Sequence, residues 1–320
     1  MTTNNTTSEA LKAKVRATIA SGTTQSDLAK AIGISQAALS TWQRGIYEGS
    51  NDAIETAVAK YYAGEEYSRE RNEIIVKDPP FFKSPTSERI WPVLRYNHLR
   101  GGMVAIVGGS GFGKSSTYDE YRRQHPNVWR VIATEASGSV TAMLLAICDQ
   151  IGIQLTRKGK ADVERAILEK LTRSRGLLII DEGQYLERAC LFELAGLREK
   201  AIDGDPEGRG IGIVVSGNEQ IWKTIKSAYS QLFSRFGAPL SLSRIREGDI
   251  DACIDAWATA LAYDLQPATR EKLRAIGNEP GALRNIAETM RFAAFLAAGA
   301  HTSINHGLIE AAWASIGQKR

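Results

Sequence analysis

The sequence predicts an α/β fold: a five-stranded parallel sheet with helices on both faces, followed by a helical lid and preceded by an all-α helix-turn-helix domain. Three observations predict it. Between about 87 and 243, short apolar runs alternate with helical stretches. The first of those runs leads directly into a glycine-rich loop and then a polar helical stretch. Before and after that region the strand signal is missing.

The N-terminal part, residues 1–64, reads as short helices with tight turns. Residues 65–86 mix charges with Pro79, Pro80 and Pro85, which fix φ and remove donors, so this segment reads as a linker. The apolar runs then follow: "MVAIVG" at 103–108, "VWRVIAT" at 128–134, "GLLIID" at 176–181, "IGIVVSG" at 211–217 and "PLSLS" at 239–243. Strands apolar on both faces belong to a parallel sheet covered by helices on each side. Residues 244–320 read as a helical lid.

Composition narrows the class. The chain has 320 residues, 43% hydrophobic and 24% charged, with a net charge of +4, as expected for a soluble protein of two or three domains. A charge that small is compatible with nucleic acid without demanding it. No apolar run approaches the roughly 18 residues that cross a bilayer, so no membrane partner is expected. The start, "MTTNNTTSEA", lacks the apolar core of a signal peptide. Cys148, Cys190 and Cys253 lie far apart in apolar contexts and read as reduced and buried, which predicts a cytoplasmic protein. His98, His125, His301 and His306 show no ligand spacing, and no zinc site is expected.

The glycine-rich loop is Gly108-Gly109-Ser110-Gly111-Phe112-Gly113-Lys114-Ser115-Ser116, which fits G-x-x-x-x-G-K-[ST] between a strand and a helix. Glycines there let backbone N–H groups converge on a phosphate, and the helix N-terminus adds its positive end. Lys114 reaches the β- and γ-phosphates of ATP, and the Ser115 hydroxyl takes Mg²⁺. Farther on, "LLIIDE" ends in Asp181 and Glu182 at the carboxyl end of a buried strand. Asp181 is placed to hold Mg²⁺ with Ser115, and Glu182 to orient or deprotonate a water. A positioned water argues for hydrolysis of ATP over transfer to a small acceptor. Asn218, just past "IVVSG", can orient that water or touch the γ-phosphate, or it can cap the next helix. Arg235 in "LFSRFG" can complete a neighbouring subunit's site, or be an ordinary surface arginine.

The order of these motifs, with "PGALRNI" at 280–286 in the lid, resembles an AAA+ ATPase. More narrowly, the chain resembles the MuB family, the target-DNA ATPases of phage Mu transposition. The shared features are the N-terminal helix-turn-helix, "EYRRQHPNVW", "RKG" at 157–159, "LFSR" and "GALR". Two stretches depart from the pattern: "DEGQYL" after the acidic strand and the charged loop "DGDPEGRG" at 203–210. The resemblance implies a role for Arg284 in sensing the γ-phosphate, and for Arg235 in acting on a neighbour's nucleotide. It also implies an ATPase that assembles as a helical filament or ring on double-stranded DNA, selects that DNA as target and activates a transposase in a bacterial host cell.

Two DNA-binding elements are expected. In "QSDLAKAIGISQAALSTWQR" (25–44), Leu28, Ile32, Ile34, Leu39 and Trp42 recur at helical spacing, Ala29 is small where helices cross, and Gly33 allows the turn. The second helix then presents Gln36, Ala37, Ser40, Thr41 and Arg44. Residues 1–60 hold six Lys/Arg against five Asp/Glu, so little field draws DNA there, and a protein-interaction module of the same shape stays open. The second element is the run 156–176, with seven basic residues against three acidic. Arg157, Lys158 and Lys160 crowd its start; in the resembled family this loop tracks DNA phosphates, which carries no base information. Arg122 and Arg123 are further candidates. Two other readings stay open: a helicase loader on the same core, and a helix-turn-helix regulator with an ATP switch.

Overall fold

The computed structural model describes residues 2–74, 77–155, 159–227 and 230–317. The chain divides into two compact units, Met1–Val76 and Lys77–Arg320.

The first unit is all helical: α1 (Thr2–Ala20), α2 (Gln25–Ile32), α3 (Gln36–Gln43) and α4 (Asn51–Ile74). Thr24 caps α2 by accepting from the Asp27 N–H at 3.1 Å, and Ser35 caps α3 through the Ala38 N–H at 3.1 Å. Between them Gly33 adopts φ +86°, a left-handed turn that favours glycine. Val15, Leu28, Ala29, Leu39, Trp42, Ile54 and Val58 form the core, with Ile32 and Ile34 packed against it. Helix α4 runs through to Ile74, well into the segment expected to be a linker. The reason is local: residues 65–74 contain no proline and are rich in helix-forming Glu and Arg.

The second unit opens on Lys77–Ser84 and then α5 (Pro85–Arg100). The α/β layer follows as β1 (Met103–Gly108), α6 (Lys114–Gln124), β2 (Val128–Ile132), α7 (Val140–Ile151), α8 (Lys160–Ser174) and β3 (Leu177–Asp181). It continues with α9 (Arg188–Asp203), β4 (Gly212–Gly217), α10 (Glu219–Ser227), α11 (Ser230–Phe233) and β5 (Leu240–Leu242). All the strand pairings are parallel, in the order β2-β3-β4-β1-β5. Alternate residues of β1 face opposite layers, as strand geometry requires. Met103, Ala105 and Val107 join the core with α7, α8 and α9, whereas Val104 and Ile106 pack with Ile90, Leu94, Tyr118 and Tyr121 of α5 and α6.

The lid is α12 (Glu247–Ala260), α13 (Pro267–Asn278), α14 (Leu283–Gly299) and α15 (His306–Gly317). It is fastened to α5 by the buried Asp249, whose carboxylate accepts from the Thr86 N–H and Oγ, both at 2.7 Å. Among the described residues, no helix is long and apolar enough to cross a membrane.

Candidate nucleotide site

The chain moves from β1 to the far edge of the sheet and returns, so the loop after β1 opens into a crevice at the strands' carboxyl ends. That loop is held by glycines at positions other residues could not take. Gly111 has φ +79°, and a Cβ on it would lie 1.9 Å from the Gly281 carbonyl oxygen of the lid. The Leu283 N–H donates to the Gly111 carbonyl at 3.2 Å, so loop and lid meet by backbone contact. Gly113, at φ +78°, starts α6 with no side-chain cap, which leaves the helix N-terminal amides to face a ligand. Phe112 supports the loop from within, its ring against Gly109.

Lys114 is almost wholly buried, and its Nζ donates to the Gly108 and Gly109 carbonyls, each at 2.8 Å. Burial pushes its pKa below the usual lysine range; Asp181 and Glu182 pull the other way, and Arg284 adds to the lowering. Beside it, Ser115 Oγ donates to Asp181 Oδ2 at 2.8 Å. Asp181 is 1% exposed and carries more partners than the sequence suggested. Its Oδ2 also accepts from Arg130 Nε at 3.1 Å and Nη2 at 2.7 Å, and its Oδ1 accepts from the Glu182 N–H at 3.0 Å.

Glu182 has φ +57°, a left-handed conformation uncommon for a side-chain-bearing residue. Its Oε2 accepts from Gln184 Nε2 at 2.6 Å, and Gln184 Oε1 in turn accepts from the Asn218 N–H at 3.2 Å. Gln184 belongs to the departure "DEGQYL", and sequence reasoning gave it no role. Asn218 meets this network through its backbone, while its side-chain Oδ1 caps α10 by accepting from the Gln220 N–H at 2.8 Å.

A cavity of about 710 Å³ extends from this loop to the lid. Ser110 to Thr117, Glu182 and Arg284 line it, as do Pro79, Pro80, Phe81, Phe82, Cys253 and Trp257. Residues 78–82, expected to be part of a linker, therefore form a wall. Asp78 is held by Arg291, whose Nε and Nη2 donate to its two carboxylate oxygens at 2.7 and 2.5 Å. The same guanidinium lies 5.3 Å from the Trp257 ring centroid. Burial lifts the nearby Cys253 thiol to about 12.

The remaining candidates fall elsewhere. Arg235 is not part of this cavity's wall; its Nε pairs with Glu199 at 2.7 Å. Arg123 is among the residues that line the cavity, and its exposed guanidinium pairs with Glu120 at 2.7 Å. Arg122 pairs with Asp119 at 3.4 Å. Lys160 is half exposed and pairs with Glu193 at 3.0 Å, whereas Arg157 and Lys158 lie outside the described residues. In α3, Gln36 and Ala37 are exposed, as is Arg44 at its end. Ser40 and Thr41 are half-buried, and Thr41 Oγ donates back to the Ala37 carbonyl at 2.8 Å.

Comparison with known families agrees with this geometry. Residues 98–225 match the AAA domain model, and residues 234–316 match the model of the Mu B transposition protein, C terminal. The chain carries an AAA ATPase domain and is similar to the Mu B proteins. It is 27% identical over 300 residues to the ATP-dependent target DNA activator B of Escherichia phage Mu, covering 91% of this chain and 89% of that protein. It is 28% identical over 272 residues to the Mu-like prophage FluMu DNA transposition protein B of Haemophilus influenzae, covering 83% and 90%. In fold it is similar to the Aeropyrum pernix ORC2 protein, with a TM-score of 0.58 at 16% identity, covering 74% of this chain and 69% of that one.

Proposed function

We propose that this chain binds ATP with Mg²⁺ in the cavity above β1, and in that state holds duplex DNA with little sequence preference and presents it to a transposase. The observation that carries the reading is co-extension. The likeness to the phage Mu target DNA activator runs over 91% of this chain, well beyond the AAA domain at 98–225, and a Mu B C-terminal model covers 234–316 of the lid side.

The residues present fit a divalent cation. The Ser115 hydroxyl and the Asp181 carboxylate are hard oxygen donors 2.8 Å apart at the mouth of a helix N-terminus. Ser115 and Asp181 would hold a Mg²⁺ there, which would supply positive charge against the phosphates. Lys114 would exchange the Gly108 and Gly109 carbonyls for phosphate oxygens. Glu182, steered by Gln184, would draw a proton from the attacking water. Arg284 approaches the phosphates from the lid. Arg235 serves the next subunit in a homo-oligomer on DNA, consistent with its absence from the lining of its own cavity. Asn218 holds Gln184 through its backbone and senses the γ-phosphate end of the site.

The wall of the cavity gives a direct expectation. Arg291→Ala frees Asp78 and the 78–82 wall, and affinity for a fluorescent ATP analogue falls about threefold to tenfold with a smaller change in kcat. Reversing the pair, Asp78→Arg with Arg291→Asp, recovers part of the loss; equal affinity in all three proteins would remove the wall from the site.

For DNA, Arg157, Lys158 and Lys160 supply phosphate contacts, with Gln36, Ala37, Ser40, Thr41 and Arg44 of α3 and its end as a second contact and Arg122 and Arg123 as weaker ones. Replacing Arg157, Lys158 and Lys160 with alanine is expected to flatten the salt dependence, lowering the slope of log affinity against log salt by roughly one per contact removed. An unchanged slope would move the DNA contact to α3.

A further inference from the structure

Arg130 sits mid-strand on β2, opposite Ile179 of β3, where a polar residue ordinarily turns to solvent. Instead its side chain is 12% exposed and stretches across the carboxyl end of the sheet. One edge of the guanidinium contacts Asp181 Oδ2 twice, at 3.1 and 2.7 Å. The far nitrogen, Nη1, donates to Asp119 Oδ2 at 2.7 Å. Asp119 lies one helical turn beyond Ser115 on α6, on the same face. The contacts therefore close a ring, Ser115–Asp181–Arg130–Asp119, that ties α6, β2 and β3 together around the acidic strand end.

The ring has a chemical consequence. Ser115 Oγ now donates to Asp181 Oδ2, a bond whose proton would have to turn away for the hydroxyl oxygen to serve a cation. What then fixes the plane of the carboxylate is Arg130 together with the Glu182 N–H. Burial works against the charge on Arg130, and the two carboxylates more than restore it, so the guanidinium keeps a permanent positive charge beside the acid that would face the metal.

We propose that Arg130 is the positioning residue of Asp181: it fixes the carboxylate's plane and, by its charge, limits how tightly the site takes a divalent cation. The proposal rests on the reading that Ser115 and Asp181 hold Mg²⁺. It separates from a merely structural role because its two consequences have opposite signs. Removing the charge strengthens cation binding, while releasing the carboxylate slows hydrolysis.

The test titrates Mg²⁺ against the full chain at fixed fluorescent ATP analogue, alongside steady-state hydrolysis. With Arg130→Gln, the Mg²⁺ concentration at half-maximal nucleotide binding is expected to fall about threefold or more, because one positive charge has left the site. In the same protein kcat falls about tenfold or more. With Arg130→Lys, which keeps the charge and loses the two-pronged grip, the Mg²⁺ midpoint stays near that of the unaltered chain and kcat still falls. A higher Mg²⁺ requirement in Arg130→Gln, or both quantities within about twofold of the parent, would overturn the proposal. If Arg130→Gln does not fold, Arg130→Lys decides, since a shifted midpoint or an unchanged kcat there overturns it equally. A parent chain that binds nucleotide alike with and without Mg²⁺ would overturn the metal reading first, and the proposal with it.

Discussion

Lys114→Ala is expected to reduce nucleotide affinity by about a hundredfold or more and to abolish ATP-dependent assembly on DNA. The size of the effect follows from where the lysine sits. It is 9% exposed, bound to two backbone carbonyls, with two acids and one arginine acting on its charge. Burial has already lowered its pKa, so a nearby phosphate is a better partner for its charge than the carbonyls it now touches. Alanine leaves the Gly108 and Gly109 carbonyls without that donor and the phosphates without a cation. Equilibrium titration with a fluorescent ATP analogue reads the first effect and sedimentation with duplex DNA the second. A variant that loses nucleotide and still assembles on DNA as the parent does would break the proposed coupling.

Glu182→Gln is expected to do the reverse: to keep nucleotide and lose turnover. A base that takes the proton of an attacking water contributes about a hundredfold to ten-thousandfold, and glutamine cannot take that proton. The neighbouring contact survives the change, because the glutamine carbonyl still accepts from Gln184 Nε2, now at 2.6 Å. Asp181 keeps the Glu182 N–H as a backbone donor, so the metal side of the site is not disturbed. The variant should bind ATP near normally, hydrolyse it slowly and remain on DNA long after the parent has left. Single-turnover hydrolysis together with DNA dissociation after ATP removal measures both. Normal turnover would take the general-base role away from Glu182, and Gln184→Ala would then show whether the pair matters at all.

Most of the site's chemistry is local in the chain, and for that reason legible in it. The phosphate loop needs glycines at fixed offsets around a strand end, and the acids need only the next buried strand to stop beside it. The parts that escaped are those whose meaning comes from packing. Arg130 carries no signal of its own inside the run "VWRVIAT", and only pairing with β3 brings it to Asp181. Asp78 to Phe82 reads as linker because prolines and charges mark irregular backbone, and irregular backbone is also what shapes a binding wall. Trp257 is buried, yet it lines the cavity with the Arg291 guanidinium 5.3 Å from its ring centroid, a place no local pattern announces. Gln184 carried no signal, since a glutamine two residues past an acid has no pattern until the left-handed turn at Glu182 folds it back. The overlong α4 is the simplest case: a charged stretch without proline favours helix over an open connection.

The central claim is that nucleotide state governs the grip on DNA. The most direct test measures binding of the full chain to random-sequence duplex with ATP, with ADP and without nucleotide, across a salt series. The account predicts cooperative binding that appears with ATP, weakens steeply with salt and is lost with ADP. Tight binding indifferent to nucleotide would contradict it and move DNA recognition into the helix-turn-helix unit.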